Sequence, residues 1–160
     1  MNFSGKAVLI TGGASGIGNA TAKMFHEAGA DIVIADLNEE GLNAAADQLA
    51  GDGKGKVVAI PCDTSNPDSC QQLIDGAVAA LCNIAGILAH GPTDTFADET
   101  WLKVLSVNLN GPFYISKRAV PHLLKTKGCI VNVASTAGLV GIPYGAAYSA
   151  SKSGVIGLTK

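Results

Sequence analysis

At 160 residues, 48% apolar and 15% charged, the chain is long enough for one domain that buries roughly 70% of its unfolded surface, and it is too apolar to be disordered. A formal net charge of -2, no basic cluster and few aromatics argue against a nucleic-acid partner. No run approaches the length of a membrane span, the first residues read as a strand and not as a secretory signal, and Cys62, Cys70, Cys82 and Cys129 form neither a CxxC pair nor a zinc-ligand spacing. Free thiols in a reducing, cytoplasmic setting are therefore expected, with no metal site.

Lys6 to Thr11 is a short apolar, β-rich run with glycines directly after it. From Ile17 to Ala28 the apolar spacing becomes helical (Ile17, Ala20, Met24, Phe25, Ala28), and Gly29 stops it. Asp31 to Ala35 is a second strand. Glu39 to Ala50 is alanine-rich and helical, ended by Gly51 and Gly53, and Val57 to Ile60 is a third strand. Asn66-Pro67-Asp68 reads as a helix start, with Asn66 or a neighbour as cap and Pro67 in the first turn. A short helix from there to about Gly76 leads to a fourth strand at Val78 to Asn83. Asp98 to Lys125 reads as helix, bent or interrupted at Asn110-Gly111-Pro112. Cys129 to Ala134 is a fifth strand and Tyr148 to Lys160 a last helix. Strands and helices alternate, and the strands are continuous apolar runs, as in a parallel sheet covered on both faces. The expectation is one doubly wound α/β domain over 1–160, without repeats or an internal linker.

Thr11-Gly12-Gly13-Ala14-Ser15-Gly16-Ile17-Gly18 lies between the first strand and the first helix. Glycines there permit positive φ and close approach of a ligand, and the amides at the helix start favour a pyrophosphate. Asp36 stands 20 residues beyond Gly16 at the end of the second strand, where a carboxylate can accept from the hydroxyls of an adenine ribose. It would repel a 2'-phosphate, and Leu37 and Asn38 bring no cation, so NAD is expected over NADP. The plainer reading is a turn built for packing, with Asp36 as a solvated helix cap.

Tyr148 and Lys152 are four apart and share one helix face, and Ser135 ends the fifth strand. Strand carboxyl ends carry the sites in such sheets. A phenol titrates near 10 and a nearby ammonium favours its anion, so this trio suits proton exchange alongside hydride transfer. Tyr148 would exchange the proton, Lys152 would assist it and reach a ribose hydroxyl, and Ser135 would polarise the substrate oxygen. By themselves the same residues also fit a half-buried tyrosine, a solvated lysine and a strand-end serine.

With TGGASGIG (11–18), CD (62–63), NIAG (83–86), VNLNG (107–111), VNVAS (131–135) and YSASK (148–152) in that order, the chain resembles a classical short-chain dehydrogenase/reductase. The resemblance implies a Rossmann-type sheet of order 3-2-1-4-5 and interconversion of a secondary alcohol and a ketone. It implies a cofactor site of Gly12, Ser15, Gly16, Ile17, Gly18, Asp36, Asp63, Asn83, Ala85, Gly86, Tyr148 and Lys152. It likewise implies a catalytic set of Asn108, Ser135, Tyr148 and Lys152, in which Asn108 anchors a water of the proton relay and Asp63 meets the adenine amino group. Asn83, Ala85 and Gly86 would line the cofactor and steady the sheet. A homo-dimer or homo-tetramer through helices 99–125 and 148–160 is the implied assembly.

Two departures from that pattern stand out. Members of the family continue beyond the helix of the catalytic lysine, with later strands and the substrate-binding half, so an open edge on the fifth strand is expected here. The stretch between Asp63 and Asn83 is several residues short, and Ile84 replaces the second asparagine of an NNAG pattern. Alongside an active oxidoreductase, a catalytically inactive dinucleotide-binding module and a non-functional fragment therefore remain open. Residues 89–96, His90 and residues 139–147 are candidates for the substrate side, or are ordinary loops.

Overall fold

A computed structural model describes residues 2–51, 55–74 and 78–160. Its elements, in chain order, are β1 (Ala7–Thr11), α1 (Gly16–Glu27), β2 (Asp31–Asp36), α2 (Glu39–Ala50), β3 (Val57–Pro61), α3 (Pro67–Gln71) and β4 (Ala80–Asn83). They continue with α4 (Asp98–Leu105), a π-helical turn (Ser106–Asn110), α5 (Gly111–Thr126), β5 (Cys129–Asn132), α6 (Ala137–Val140) and α7 (Ala146–Thr159). The strands pair in parallel in the order β3-β2-β1-β4-β5. This is the three-layer, doubly wound Rossmann-type sheet expected from the sequence.

The continuous apolar strands divide between two cores because successive side chains leave opposite faces. Val8, Ile10, Ile32 and Ile34 pack with Ala22 of α1 and with Leu42 and Leu49 of α2. Leu9, Ala35 and Leu81 pack on the other face with Ile115, Ala119 and Leu123 of α5 and Cys70 of α3. Central β1 and β4 are almost wholly buried, whereas β5, paired among the described residues with β4 alone, leaves Val131 51% exposed.

The helix starts follow their chemistry. The Asn66 side chain accepts from the Asp68 and Ser69 N–H groups at 2.9 and 3.3 Å, with Pro67 as the first helical residue. The predicted break at Asn110-Gly111-Pro112 is not a break. Pro112 has no N–H, and its ring would crowd the carbonyl four residues back. The π turn at Ser106–Asn110 widens the ladder just before it, so the helix runs on from Asp98 to Thr126.

Four boundaries move by two residues or more, the last being α7, which opens at Ala146 ahead of Tyr148. Strand four begins at Ala80, because the Val78 carbonyl is turned to the Thr126 hydroxyl at 2.8 Å. Strand five ends at Asn132, and the next carbonyl, on Val133, accepts from the Lys152 ammonium at 2.7 Å. Helix α3 stops at Gln71. Gly53 and Gly76, read as helix ends, lie outside the described residues. The short helix α6 has no counterpart in the sequence reading.

One polar residue sits oddly in this core. His26, in the last turn of α1, is fully buried, and both ring nitrogens lack a hydrogen-bond partner. An unpaired buried polar group typically costs about 1–3 kcal/mol, so exchanging it for a similarly sized apolar side chain should not weaken the fold. His26→Leu is expected to leave unfolding free energy unchanged or raise it by about 1 kcal/mol in urea titrations. A loss larger than about 1 kcal/mol would mean that His26 has a partner the structure does not show.

Candidate functional site

The strand order reverses at β1, whose neighbours β2 and β4 lead to connections on opposite sides, and a crevice opens at the carboxyl ends there. Its base is a set of close backbone contacts. The Thr11 hydroxyl accepts from the Ile84 and Ala85 N–H groups at 3.0 and 3.2 Å. Gly12 has φ +72°, and a Cβ there would come within 2.9 Å of the Ala85 nitrogen. A Cβ on Gly18 would strike the Gly12 carbonyl, so glycine at 18 lets α1 start against β1. Gly16, with φ +53°, instead faces open space.

The crevice is a cleft of about 530 Å³ lined by Gly12, Ser15, Gly16, Ile17, Gly18, Asp36, Asp63, Ala85 and Gly86 among others. That volume is within the range of ordinary ligand pockets, about 300–1,000 Å³. Asp36 does more than face a ligand: its two carboxylate oxygens accept from the Ala14 and Asn38 N–H groups at 3.1 and 3.0 Å, fixing the glycine turn. One Asp63 oxygen accepts from the Ser65 N–H and hydroxyl at 2.9 and 2.6 Å. Sequence reasoning did not find Cys62, Ile87, Lys103 and Val107 in the lining. The four-residue spacing of Lys103 and Val107 along one helix face was the available signal for two of them.

Asn83 is placed elsewhere. It is buried, and its amide donates to Asn132 Oδ1 at 2.8 Å and Ser116 Oγ at 3.1 Å, joining β4 to β5 and α5. It steadies the sheet below the cleft and does not line it.

The second group of predicted residues lies behind Gly86. Asn108, in the π turn, is buried, accepts from the Ile87 N–H at 2.8 Å and donates to the Ile87 carbonyl at 2.9 Å and to Ser151 Oγ at 3.1 Å. Ser151 in turn donates to the Tyr148 carbonyl at 2.7 Å, which ties the π turn to α7. The Lys152 ammonium is 5.7 Å from the Tyr148 ring centroid, and burial pushes its pKa below 10.5. A Cβ on Gly86 would lie 3.3 Å from Asn108 Oδ1 and 3.5 Å from Lys152 Nζ, so the cleft and this group meet at Gly86. Tyr148 is half-buried. Ser135 is also half-buried and accepts from the Ala137 N–H at 3.2 Å. Among the described residues no hydrogen bond joins Ser135, the Tyr148 hydroxyl and Lys152, so the four residues are neighbours in the fold without forming a closed relay. Gly138 was not foreseen: a Cβ there would come within 2.7 Å of the Lys152 backbone, so glycine lets α6 lie on α7.

The glycine turn, its open side at Gly16, the Ser15 hydroxyl left free at the α1 cap and the adjacent carboxylates fit a dinucleotide. Among the described residues no group of His, Cys, Asp or Glu is placed to hold a metal, and no helix is long and apolar enough to cross a membrane.

Fold and cleft are those of the dinucleotide-binding oxidoreductases. The short chain dehydrogenase family profile matches residues 6–160. A short chain dehydrogenase/reductase of Macrophomina phaseolina, dpmpG, is 44% identical over 146 residues, covering 85% of this chain and 83% of its own. The meso-2,3-butanediol dehydrogenase of Serratia marcescens is 37% identical over 166 residues, and the match takes in 100% of this chain and 65% of the Serratia protein. A short chain dehydrogenase from Mycobacterium smegmatis superposes with a TM-score of 0.92 at 34% identity, covering 99% of this chain and 72% of that one. The chain belongs to the short-chain dehydrogenase family, and it spans just under two thirds of the length of the Serratia relative.

Two substitutions test this geometry. Asn108→Ala strips partners from the Ile87 N–H and carbonyl, and is expected to lower unfolding free energy by about 2–4 kcal/mol in urea titrations. For Lys152 the sign follows from burial. Its folded pKa is below the unfolded value of 10.5, so the cost of the buried charge is full below the folded pKa and fades as pH rises through that window. Wild type should therefore gain melting temperature relative to Lys152→Met as pH is raised from neutral toward 10.5. A flat difference would show that the ammonium carries no burial cost.

Proposed function

We propose that residues 1–160 form a single NAD-binding module of a short-chain dehydrogenase, with the nicotinamide dinucleotide held along the cleft by Gly12, Ser15, Gly16, Ile17, Gly18, Asp36, Asp63, Ala85 and Gly86. The observation that carries this reading is the cleft at the strand-order reversal, with the glycine turn on one wall and Asp36 at one end. Asp36 favours NAD, since its carboxylate would meet a 2'-phosphate with like charge and Leu37 and Asn38 offer no cation there. Lys152, at the Gly86 end, is the group to reach a ribose hydroxyl, and the bound cofactor would supply the hydride-transfer chemistry.

The chain's own residues then have distinct tasks. Tyr148 exchanges a proton with the alcohol or ketone oxygen, the Lys152 ammonium beside its ring assists, and Ser135 orients that oxygen. Asn108 serves by holding Ile87 and α7 in place; both ends of its amide are engaged, which leaves its backbone carbonyl as the group to anchor a water. A small secondary alcohol or ketone suits this set, and the Serratia relative is named for a 2,3-diol. The family match and the cleft support cofactor binding more strongly than turnover, because the relay is not closed and the chain corresponds to part of the longer relatives. In the 160 residues alone, binding without catalysis is the reading we favour. The alignment with the Serratia protein runs over 166 residues against the 160 of this chain, so this chain carries gaps relative to it, in keeping with a short internal deletion. Apolar Trp101, Leu102, Phe113 and Leu124, exposed on α4 and α5, support self-association through those helices.

Calorimetric titration of the chain with NADH and NADPH tests the proposal. Saturable NADH binding about tenfold tighter than NADPH, or about 1.4 kcal/mol, is expected. Failure to bind either would remove the dinucleotide reading, and equal binding would remove Asp36 as the selector.

A further inference from the structure

One charged side chain of the cleft has no part in the reading above. Among the residues that line the cleft, Asp36 and Asp63 are the acids and Lys103 is the base. Lys103 enters from α4, on the wall that carries Val107 one turn later. The same helical rod continues into α5, which descends from Thr64, against which a Cβ on Gly111 would press at 2.8 Å, to Thr126 beside Val78 ahead of β4. Residues before Gly111 therefore stand beyond the carboxyl ends of the strands. Lys103 lies about 12 Å further out along that axis, at about 1.5 Å per residue. It occupies the rim of the cleft.

The side chain is exposed. Among the described residues, the cationic side chains that donate hydrogen bonds are Arg118, to the Tyr114 carbonyl, and Lys152, to the Val133 carbonyl. The Lys103 ammonium is thus left to solvent at the entrance. The charge of the surroundings gives it weight. Two carboxylates share the cleft with this single ammonium, in a chain whose formal net charge is -2. A dinucleotide carries a negative charge on each phosphate of its linkage, so it approaches an entrance of like sign. Fixed charges at the mouth of a cleft act on the encounter. A unit charge about 10 Å from two phosphates across water changes the encounter rate by about fourfold.

We propose that Lys103 is a steering residue, the rim cation that draws the phosphates of the dinucleotide into an otherwise acidic cleft. Steering in this sense rests on the dinucleotide reading of the cleft. Because the ammonium stays on the solvent side of the entrance, it acts on arrival and hardly on escape. Glu99, one turn earlier on α4, offers Lys103 a purely structural use as an ion-pair partner. Such a pair would act on the stability of α4 and leave the encounter unchanged.

The two roles separate in stopped-flow mixing of the 160-residue chain with NADH. Binding is read by energy transfer from Trp101, the single tryptophan, which lies on α4 close to Lys103 in sequence. At about 20 mM salt, Lys103→Met should lower kon by about fourfold and Lys103→Glu by about sixteenfold, one equal factor per unit of charge. Lys103→Arg should stay within about twofold of wild type, and koff should change by less than about twofold throughout. The variants should converge at about 0.5 M salt, where the screening length falls to about 4 Å. Lys117→Met, exposed on α5 and outside the cleft lining, alters net charge alone and should leave kon unchanged. Equal kon across the charge series overturns the proposal, and so does a loss carried by koff. A loss that persists in high salt together with a lower melting temperature assigns Lys103 to Glu99 and overturns it as well. An equal effect of Lys117→Met overturns it in favour of net charge. If wild type binds no NADH, the dinucleotide reading falls and steering with it. If wild type binds and the variants match it, steering alone falls.

Discussion

The structure depends on one close approach, that of the backbone at the end of β1 to the backbone at the end of β4. Thr11 contributes the acceptor, its hydroxyl taking two N–H groups from Ile84 and Ala85. Gly12 contributes the absence of a side chain, since a Cβ there would press on Ala85. Gly18 completes the contact by bringing α1 against the Gly12 carbonyl. With any side chain at 12 or 18 the helix would stand off the strand and the amides of its first turn would no longer face the crevice. The glycines are thus required twice, once for packing and once for access, and the plainer packing reading of the turn is part of the functional one.

A second tie carries this order to the other end of the site. The segment Ile84–Ile87 is held from one side by Thr11 and from the other by Asn108, which brackets Ile87 through both its N–H and its carbonyl. Asn108 can do so because the π turn directs it inward, and the π turn lies where Pro112 requires the helical ladder to widen. Through Ser151 the same amide holds α7. A helix irregularity, a strand-end loop and the Tyr148–Lys152 helix are therefore one hydrogen-bonded unit.

Much of this was legible in the residues. Continuous apolar strands alternating with helical spacing gave the parallel sheet, because burial on both faces leaves no polar face to write into the pattern. The glycine turn and Asp36 announced the cleft, since positive φ and a close approach restrict composition strongly. Other features were hidden for definable reasons. Asn83 looked like a cofactor residue from its motif, but its amide serves Asn132 and Ser116, partners distant in sequence. The Asn110-Gly111-Pro112 signal identified an irregular place without saying whether it would be a bend or a π turn, which packing decides. Four-residue α6 is too short to carry a period, and Gly138 within it matters only because α7 lies across it.

Lys152 shows how closely the structural and chemical demands coincide. Its ammonium is buried and donates to the Val133 carbonyl, the group that would otherwise extend the β5 ladder. The bond therefore ends the strand and releases the chain toward Ser135. The chain then turns into α6, and Gly138 rests on the backbone of Lys152 itself. Ser135 is thus bracketed by two contacts to one residue of α7, which fixes it relative to the helix that carries Tyr148. A lysine in this position incurs a desolvation cost that an apolar residue would avoid. What the fold gains is a strand end, a loop and a helix set in register at the point where the cleft meets its polar neighbours. The exposed apolar side chains Leu139, Val140 and Tyr144 follow directly in the same stretch. The stretch that follows Ser135 is therefore set in place by the same buried ammonium that lies beside the Tyr148 ring.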